Sequence, residues 1–167
     1  DIKTGLVEIR NDKDGNLAST IGRKSFSTEK LLENYNHFIE SVKKERPNTL
    51  KGEFINFDKD EEFLKCKYPI QEKYFNPMDT TLGGIVDSYM DCTMGPLSFL
   101  LGEMVVTKTF TAKYIRPVNN NSKFVYVKAW RDSVDERGSV YKAELFLDDE
   151  KIAAISEGLF VTPKTNR

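Results

Sequence analysis

The chain has 167 residues, 39% of them hydrophobic, with 25 Lys and Arg against 26 Asp and Glu for a net charge of −1. A chain of this length buries roughly 70% of its unfolded surface and needs neither disulfide nor metal to fold, and a balance so near zero excludes bulk attraction to nucleic acid or to an anionic membrane. The only histidine is His37, which excludes a histidine-rich zinc site, and no apolar run approaches the ~20 residues of a membrane-spanning helix.

Cys66 and Cys92 form no CxxC pair, so a reduced, cytoplasmic setting is expected; the first residue is Asp1, which is compatible with processing. Any Ser-His-Asp or Cys-His chemistry has only His37 to draw on. Carboxylates, hydroxyls and backbone amides are therefore the groups expected to carry catalysis.

Residues 1–58 read as an N-terminal extension with one amphipathic helix, and they carry no familiar pattern. Their first 25 residues are polar, with a turn at Asp14-Gly15-Asn16. Ser27 or Thr28 suits a helix N-cap, and Leu31, Leu32, Tyr35, Phe38, Ile39 and Val42 then recur at helical spacing. Lys43, Lys44 and Arg46 suit the C-terminal dipole, and Pro47 ends the segment. His37 lies just off the stripe and reads as an ordinary helix residue. The apolar stripe must be buried somewhere, so deleting residues 1–48 is expected to cause aggregation. A soluble truncation of equal stability, measured by chemical denaturation, is the contrary result.

From residue 50 the pattern changes. Segments 52–58 and 62–70 alternate as short strands, and a loop, FNPMDTTLGG, leads into IVDSYMDCTMGPLSFLLG. That segment is apolar or small on almost every face, which predicts a buried helix. Pro96 is expected to bend it or end its regular part, because its ring meets the carbonyl of Cys92. Four extended segments follow, 104–116, 123–131, 139–147 and 151–162, with turns too short for crossovers. The architecture predicted is α+β: one long helix against an antiparallel sheet.

The helix carries Asp87 and Asp91, four residues apart and so on one face, and no basic residue lies between Leu82 and Glu103. A carboxylate in apolar surroundings costs several kcal/mol unless paired or hydrogen-bonded, and such exceptions mark functional sites. Asp87, one turn inside, reads as a residue favoured by the dipole; Asp91 reads as a general base or nucleophile. Gly83-Gly84 opens the helix, and its amides suit an oxyanion hole.

These residues resemble a family. In hotdog-fold acyl-CoA thioesterases of the phenylacetyl-CoA thioesterase type, an Asn precedes His-Gly-Gly by five residues. Six residues then separate the glycines from an Asp, and a strand carries a Thr or Ser ten residues before a Pro. This chain has Asn76, Leu82-Gly83-Gly84, Asp91, Thr107 and Pro117 at those spacings, then Arg137-Gly138 at a turn and a final GLFVTP. The resemblance covers about residues 60–163. It implies the hotdog fold in residues 59–167, a long helix wrapped by a curved sheet, and a homodimer or dimer of dimers with the site at the interface. It implies acyl-CoA hydrolysis with CoA as part of the substrate and no separate cofactor. The implied roles are Asp91 as base or nucleophile, the Gly84 amide as oxyanion donor, Asn76 holding the carbonyl or water, and Thr107 orienting that water from the neighbouring protomer's side. Gly83, Leu82 and Gly138 are implied to line the substrate site.

CoA phosphates should meet Arg137 first, then Arg116, then Lys123. Tyr89, Met90, Met94 and Phe99 read mainly as core, with an acyl channel as the other reading. The family's His is Leu82 here, which removes a polar group beside the oxyanion-hole glycine and opposes a His-dependent hotdog dehydratase. A non-catalytic hotdog module binding acyl-CoA or a protein partner is the alternative function. A non-hotdog lipid-binding domain is a third.

Overall fold

The computed structural model describes residues 49–164; the predicted helix over 27–46 lies outside them. Strands β1 (Glu53–Asp58) and β2 (Phe63–Pro69) come first, then a 3₁₀ turn at Glu72–Tyr74 and the helix α1 (Gly83–Leu100). Strands β3 (Val106–Tyr114), β4 (Phe124–Asp135), β5 (Gly138–Phe146) and β6 (Ile152–Val161) complete the order. The strands form one antiparallel sheet in the order β1-β2-β4-β5-β6-β3.

Alternation along the strands decides which face meets the helix. Leu64, Cys66 and Tyr68 from β2, Val125, Val127 and Ala129 from β4, and Tyr141, Ala143 and Leu145 from β5 all point inward. They close over Val86, Tyr89, Met90, Met94 and Leu97 of α1, none of them more than 4% exposed. Each such side chain is worth about 1.5–3 kcal/mol of burial. Tyr89, Met90 and Met94 are thus core residues of the protomer, as their main reading had it.

Two expectations about the helix are corrected. It does not end at Pro96 but runs on to Leu100. The proline forfeits one main-chain bond to Cys92 on the outward side, a loss the packing of the last turn offsets. Nor is it buried on every face: Val86, Tyr89, Met90, Thr93, Met94, Leu97 and Ser98 are buried, while Gly84 and Cys92 are exposed. The sheet wraps only one side of the rod, and the side turned away has small residues.

The boundary expected between residues 58 and 59 falls at the end of β1, and that strand is hydrogen-bonded to β2 from Glu53↔Lys67 to Asp58↔Phe63. Ahead of it, the Thr49 carbonyl accepts from Gln71 Nε2 at 3.0 Å and Tyr74 Oη at 3.1 Å, and Leu50 is buried.

After α1, Gly102 takes φ 84°, and the Glu103 amide reaches back to the Ser98 carbonyl at 2.8 Å. This C-terminal capping geometry needs glycine at the left-handed position. It delivers the Glu103 carboxylate to Arg131 Nη1 at 2.9 Å, with Ser139 Oγ donating at 2.7 Å and Tyr141 Oη donating to the other oxygen. Arg131 also grips Glu62 through Nε at 2.8 Å and through Nη2. One guanidinium therefore joins the β1–β2 turn, the helix end and the centre of the sheet.

Gly138 has φ 142°, and a Cβ there would stand 2.2 Å from the Phe160 carbonyl oxygen. Gly138→Ala combines strain with a backbone clash and should destabilise by about 2 kcal/mol. A denaturant midpoint equal to the parent's would show that the hairpin yields freely.

Candidate functional site

The amino end of α1 is uncapped by any side chain: Leu82 at the N-cap makes no side-chain cap bond, and its carbonyl accepts the amides of Ile85 at 2.9 Å and Val86 at 3.1 Å. Among the described residues, the amides of Gly83 and Gly84 have no acceptor. A Cβ at Gly84 would meet nothing within 4 Å, so the space beside it is open. Two free donors at a positive helix end suit developing negative charge. The loop ahead is pinned by the Thr81 amide on the Val118 carbonyl at 2.7 Å and the Leu82 amide on the Tyr74 carbonyl at 3.0 Å.

Asp91 lies two turns along, half-buried, and Oδ1 accepts a hydrogen bond from Thr107 Oγ1 at 2.8 Å. The missing partner thus comes from β3. A register shift in the β3–β6 pairing falls between Thr107 and Thr109, a local irregularity of the kind that re-aims side chains. The bond is made within one protomer, whereas the resemblance implied that Thr107 acts from its neighbour's side. Asp91 and Thr107 are brought together in cis because the chain returns along the helix within six residues of its end.

Asp87 is also half-buried and also held by a hydroxyl of β3: Tyr114 Oη donates to Oδ1 at 2.7 Å. Partial burial of the phenol, then the bond to Asp87 and its charge, push Tyr114 up to about 12. A Cβ at Gly83 would lie 3.2 Å from Tyr114 Cζ and Oη. Glycine at 83 thus makes room for this ring. Reading Asp87 as a dipole residue missed Tyr114, which lies 27 residues away and left no local signal.

Asn76 is committed to its own loop. Its Oδ1 accepts the Met78 amide at 2.9 Å and the Thr80 amide at 3.3 Å, and Nδ2 donates to Thr80 Oγ1 at 2.9 Å. Leu82 is 47% exposed, an apolar side chain at the mouth of the helix end. Cys92, next to Asp91, has an exposed surface, but burial of its thiol and then the Asp91 charge push it up to about 11. It is a poor nucleophile at neutral pH.

Strand register places the cations. Thr107 and Ser139 both pair with Phe160, so the Arg137-Gly138 hairpin sits at the Thr107 end of the sheet. Arg137 is exposed and pairs with Asp135 at 2.6 Å, holding that carboxyl below its ordinary range. Arg116 follows Tyr114 at the opposite end of β3 and bonds the Ile152 carbonyl. Lys123 is exposed, and its amide donates to Asp148. The two arginines therefore lie at opposite ends of the sheet. Among the described residues no cluster of three or more His, Cys, Asp or Glu has metal-binding geometry, and no helix is long and apolar enough to cross a membrane.

Comparison with known proteins divides the chain. Residues 1–57 match the Ribosomal protein L1p/L10e family. The large ribosomal subunit protein uL1 of Pelagibacter ubique is 50% identical over 54 residues, 32% of this chain and 24% of that protein. The chain thus spans about a quarter of the length of the curated relatives it matches. The matched stretch is the one in which no familiar pattern was read, and it runs into β1.

In structure the chain is similar to other proteins. The E. coli PaaI protein from the phenylacetic acid degradation operon aligns with a TM-score of 0.68 at 19% identity, covering 81% of this chain and 95% of that one. A Streptococcus mutans protein solved bound to acetyl CoA aligns with a TM-score of 0.62 at 12% identity, covering 68% and 89%. At such identities the likeness speaks for architecture alone. With one helix laid across six antiparallel strands, the fold of the described residues is the hotdog fold.

Proposed function

We propose that the chain hydrolyses an acyl-CoA thioester to the free acid and CoA. The observation that carries this reading is the pairing, on one helix, of two acceptor-free amides at Gly83 and Gly84 with a half-buried Asp91 held by Thr107. The likeness to a protein solved with acetyl CoA supports the substrate class.

Seven residues of helix put Asp91 about 10 Å along the axis from Gly84. That span accommodates a hydrogen bond from the amide to the thioester oxygen, the carbonyl carbon, and a water on the carboxylate. The Gly84 amide would stabilise the tetrahedral oxyanion, worth about 3–4 kcal/mol per good donor. Asp91 would take the water's proton, or attack directly to form an anhydride that water then opens. Thr107, donating to one carboxylate oxygen, fixes the direction of the other. A thiol with pKa near 8.5 leaves without a strong general acid, so the chemistry tolerates Leu82 where the resembled family pattern has His.

The substrate site would be completed by a second copy of the chain. Strand β3 forms one end of the sheet, and of its residues only Phe110 and Ala112 are even half-buried. Its apolar residues Val106 and Tyr114 are 49% and 52% exposed. An uncovered edge of this length invites pairing. Sedimentation should give twice the protomer mass; a monomer at micromolar concentration would remove the edge-to-edge assembly.

Thiol release measured over a panel of acyl-CoAs, with free CoA as a binding control, tests the activity. The alternative, a hotdog module that binds acyl-CoA or a protein partner without cleaving it, rests on the apolar Leu82 at the helix mouth. It predicts thermal stabilisation by the ester with no thiol released.

A further inference from the structure

Asp87 and Tyr114 are unused by the chemistry above, yet they stand closer than Asp91 to the free amides. We propose that they form an acceptor subsite for an amide N–H on the thiol arm of the substrate, the half that departs. This rests on the thioesterase reading and adds to it which part of the substrate is recognised there.

The geometry leads to this in three steps. Tyr114 Oη spends its one proton on Asp87 Oδ1 at 2.7 Å, and a phenol raised to about 12 keeps that proton at neutral pH. Asp87 Oδ2 has no other partner among the described residues, so the pair offers lone pairs only. Next to it, Gly83 and Gly84 offer donors only, and the Tyr114 hydroxyl lies 3.2 Å from where a Gly83 Cβ would be. A ligand spanning both needs an acceptor and a donor a short distance apart. A thioester of cysteamine type has them: a carbonyl oxygen, then an amide N–H four bonds from the carbonyl carbon.

Direction follows from the strand. Beyond Tyr114, two residues on, the exposed Arg116 extends from the same end of β3. A thiol arm lying over Asp87 and Tyr114 carries its phosphates toward this cation, and leaves the acyl half toward Asp91. A carboxylate that must stay close to an anionic substrate is tolerable only where it meets a donor, and the amide supplies one.

The test uses two thioesters of the same acyl group on the full chain. One carries N-acetylcysteamine, the other 2-mercaptoethyl acetate, in which an oxygen replaces the N–H. The wild-type kcat/KM should favour the amide by about tenfold or more, the range of a hydrogen bond to a charged group. In Asp87→Ala the ratio should collapse toward one, while Tyr114→Phe, which leaves the Asp87 oxygens in place, should lower it only in part. A purely structural pair would instead lower both substrates together and keep the ratio. Uncleavable S-alkyl thioethers of the same two thiols, titrated for affinity, give the same comparison without turnover. Equal wild-type affinity for both overturns the subsite even if acyl-CoA is hydrolysed. A preference for the amide thioether with no thiol release upholds the subsite while the hydrolase reading fails.

Discussion

Replacing Asp91 with asparagine should lower thioester turnover by about 10³ while the protein remains folded. Asn keeps the size of the side chain and an oxygen that accepts the Thr107 hydroxyl at the position of Oδ1. What it loses is the negative charge, and with it both the proton acceptor and the nucleophile. The loss should appear in kcat more than in KM, because the carboxylate acts on the water or the carbonyl carbon rather than on the ground-state ester. The unfolding midpoint should move little. An Asp91→Asn variant with undiminished thiol release removes Asp91 from the mechanism, and a hydrolysing Asp87 would then be the group to examine.

The second large effect concerns stability. Arg131→Met should cost about 3 kcal/mol, read as a fall in the denaturant midpoint at constant slope. Its guanidinium is 20% exposed and faces Glu62 at 35% and Glu103 at 18%. Methionine fills much of the volume but leaves two carboxylates near each other without a cation, and Glu103 then keeps only the hydroxyls of Ser139 and Tyr141. Exposed pairs such as Arg137–Asp135 are worth far less, so Arg137→Met serves as the control and should change the midpoint scarcely at all. Equal small losses in both variants would mean that the central network is as solvent-screened as the hairpin pair.

One helix against an antiparallel sheet was legible because the periods were clean; the hotdog fold was implied only by the resemblance at Asn76, Gly83-Gly84, Asp91 and Thr107. Period-two alternation in FLKCKYP, FVYVKAW and SVYKAELF marks strands buried on one face, and short turns force antiparallel neighbours. The spacing from Gly84 to Asp91 was legible for the same reason: a helix converts sequence distance into a fixed rise and rotation. What could not be read was what comes from elsewhere in the chain. Nothing local to Asp87 announces Tyr114, 27 residues later, and nothing local to Glu103 announces Arg131. Those bonds depend on which strand lies at the edge and where its register shifts, quantities set by tertiary packing. Asn76 shows a role implied by resemblance beside a local one. Its spacing matched a functional pattern, but a short Asn-Pro loop satisfies an amide with its own backbone, and that local solution is the one seen.

The placement of β1 has a mechanical consequence. It is the outermost strand, joined to its neighbour as a hairpin whose open end is at Glu53↔Lys67. Tension applied to the polypeptide upstream of Thr49 would first strain the two contacts on the Thr49 carbonyl. It would then unzip the ladder one rung at a time rather than shear all rungs at once. Peeling of this kind yields at low force, so β1, where the ribosomal-L1-like stretch ends, would act as a weak seam that gives way while the helix and the other five strands stay intact.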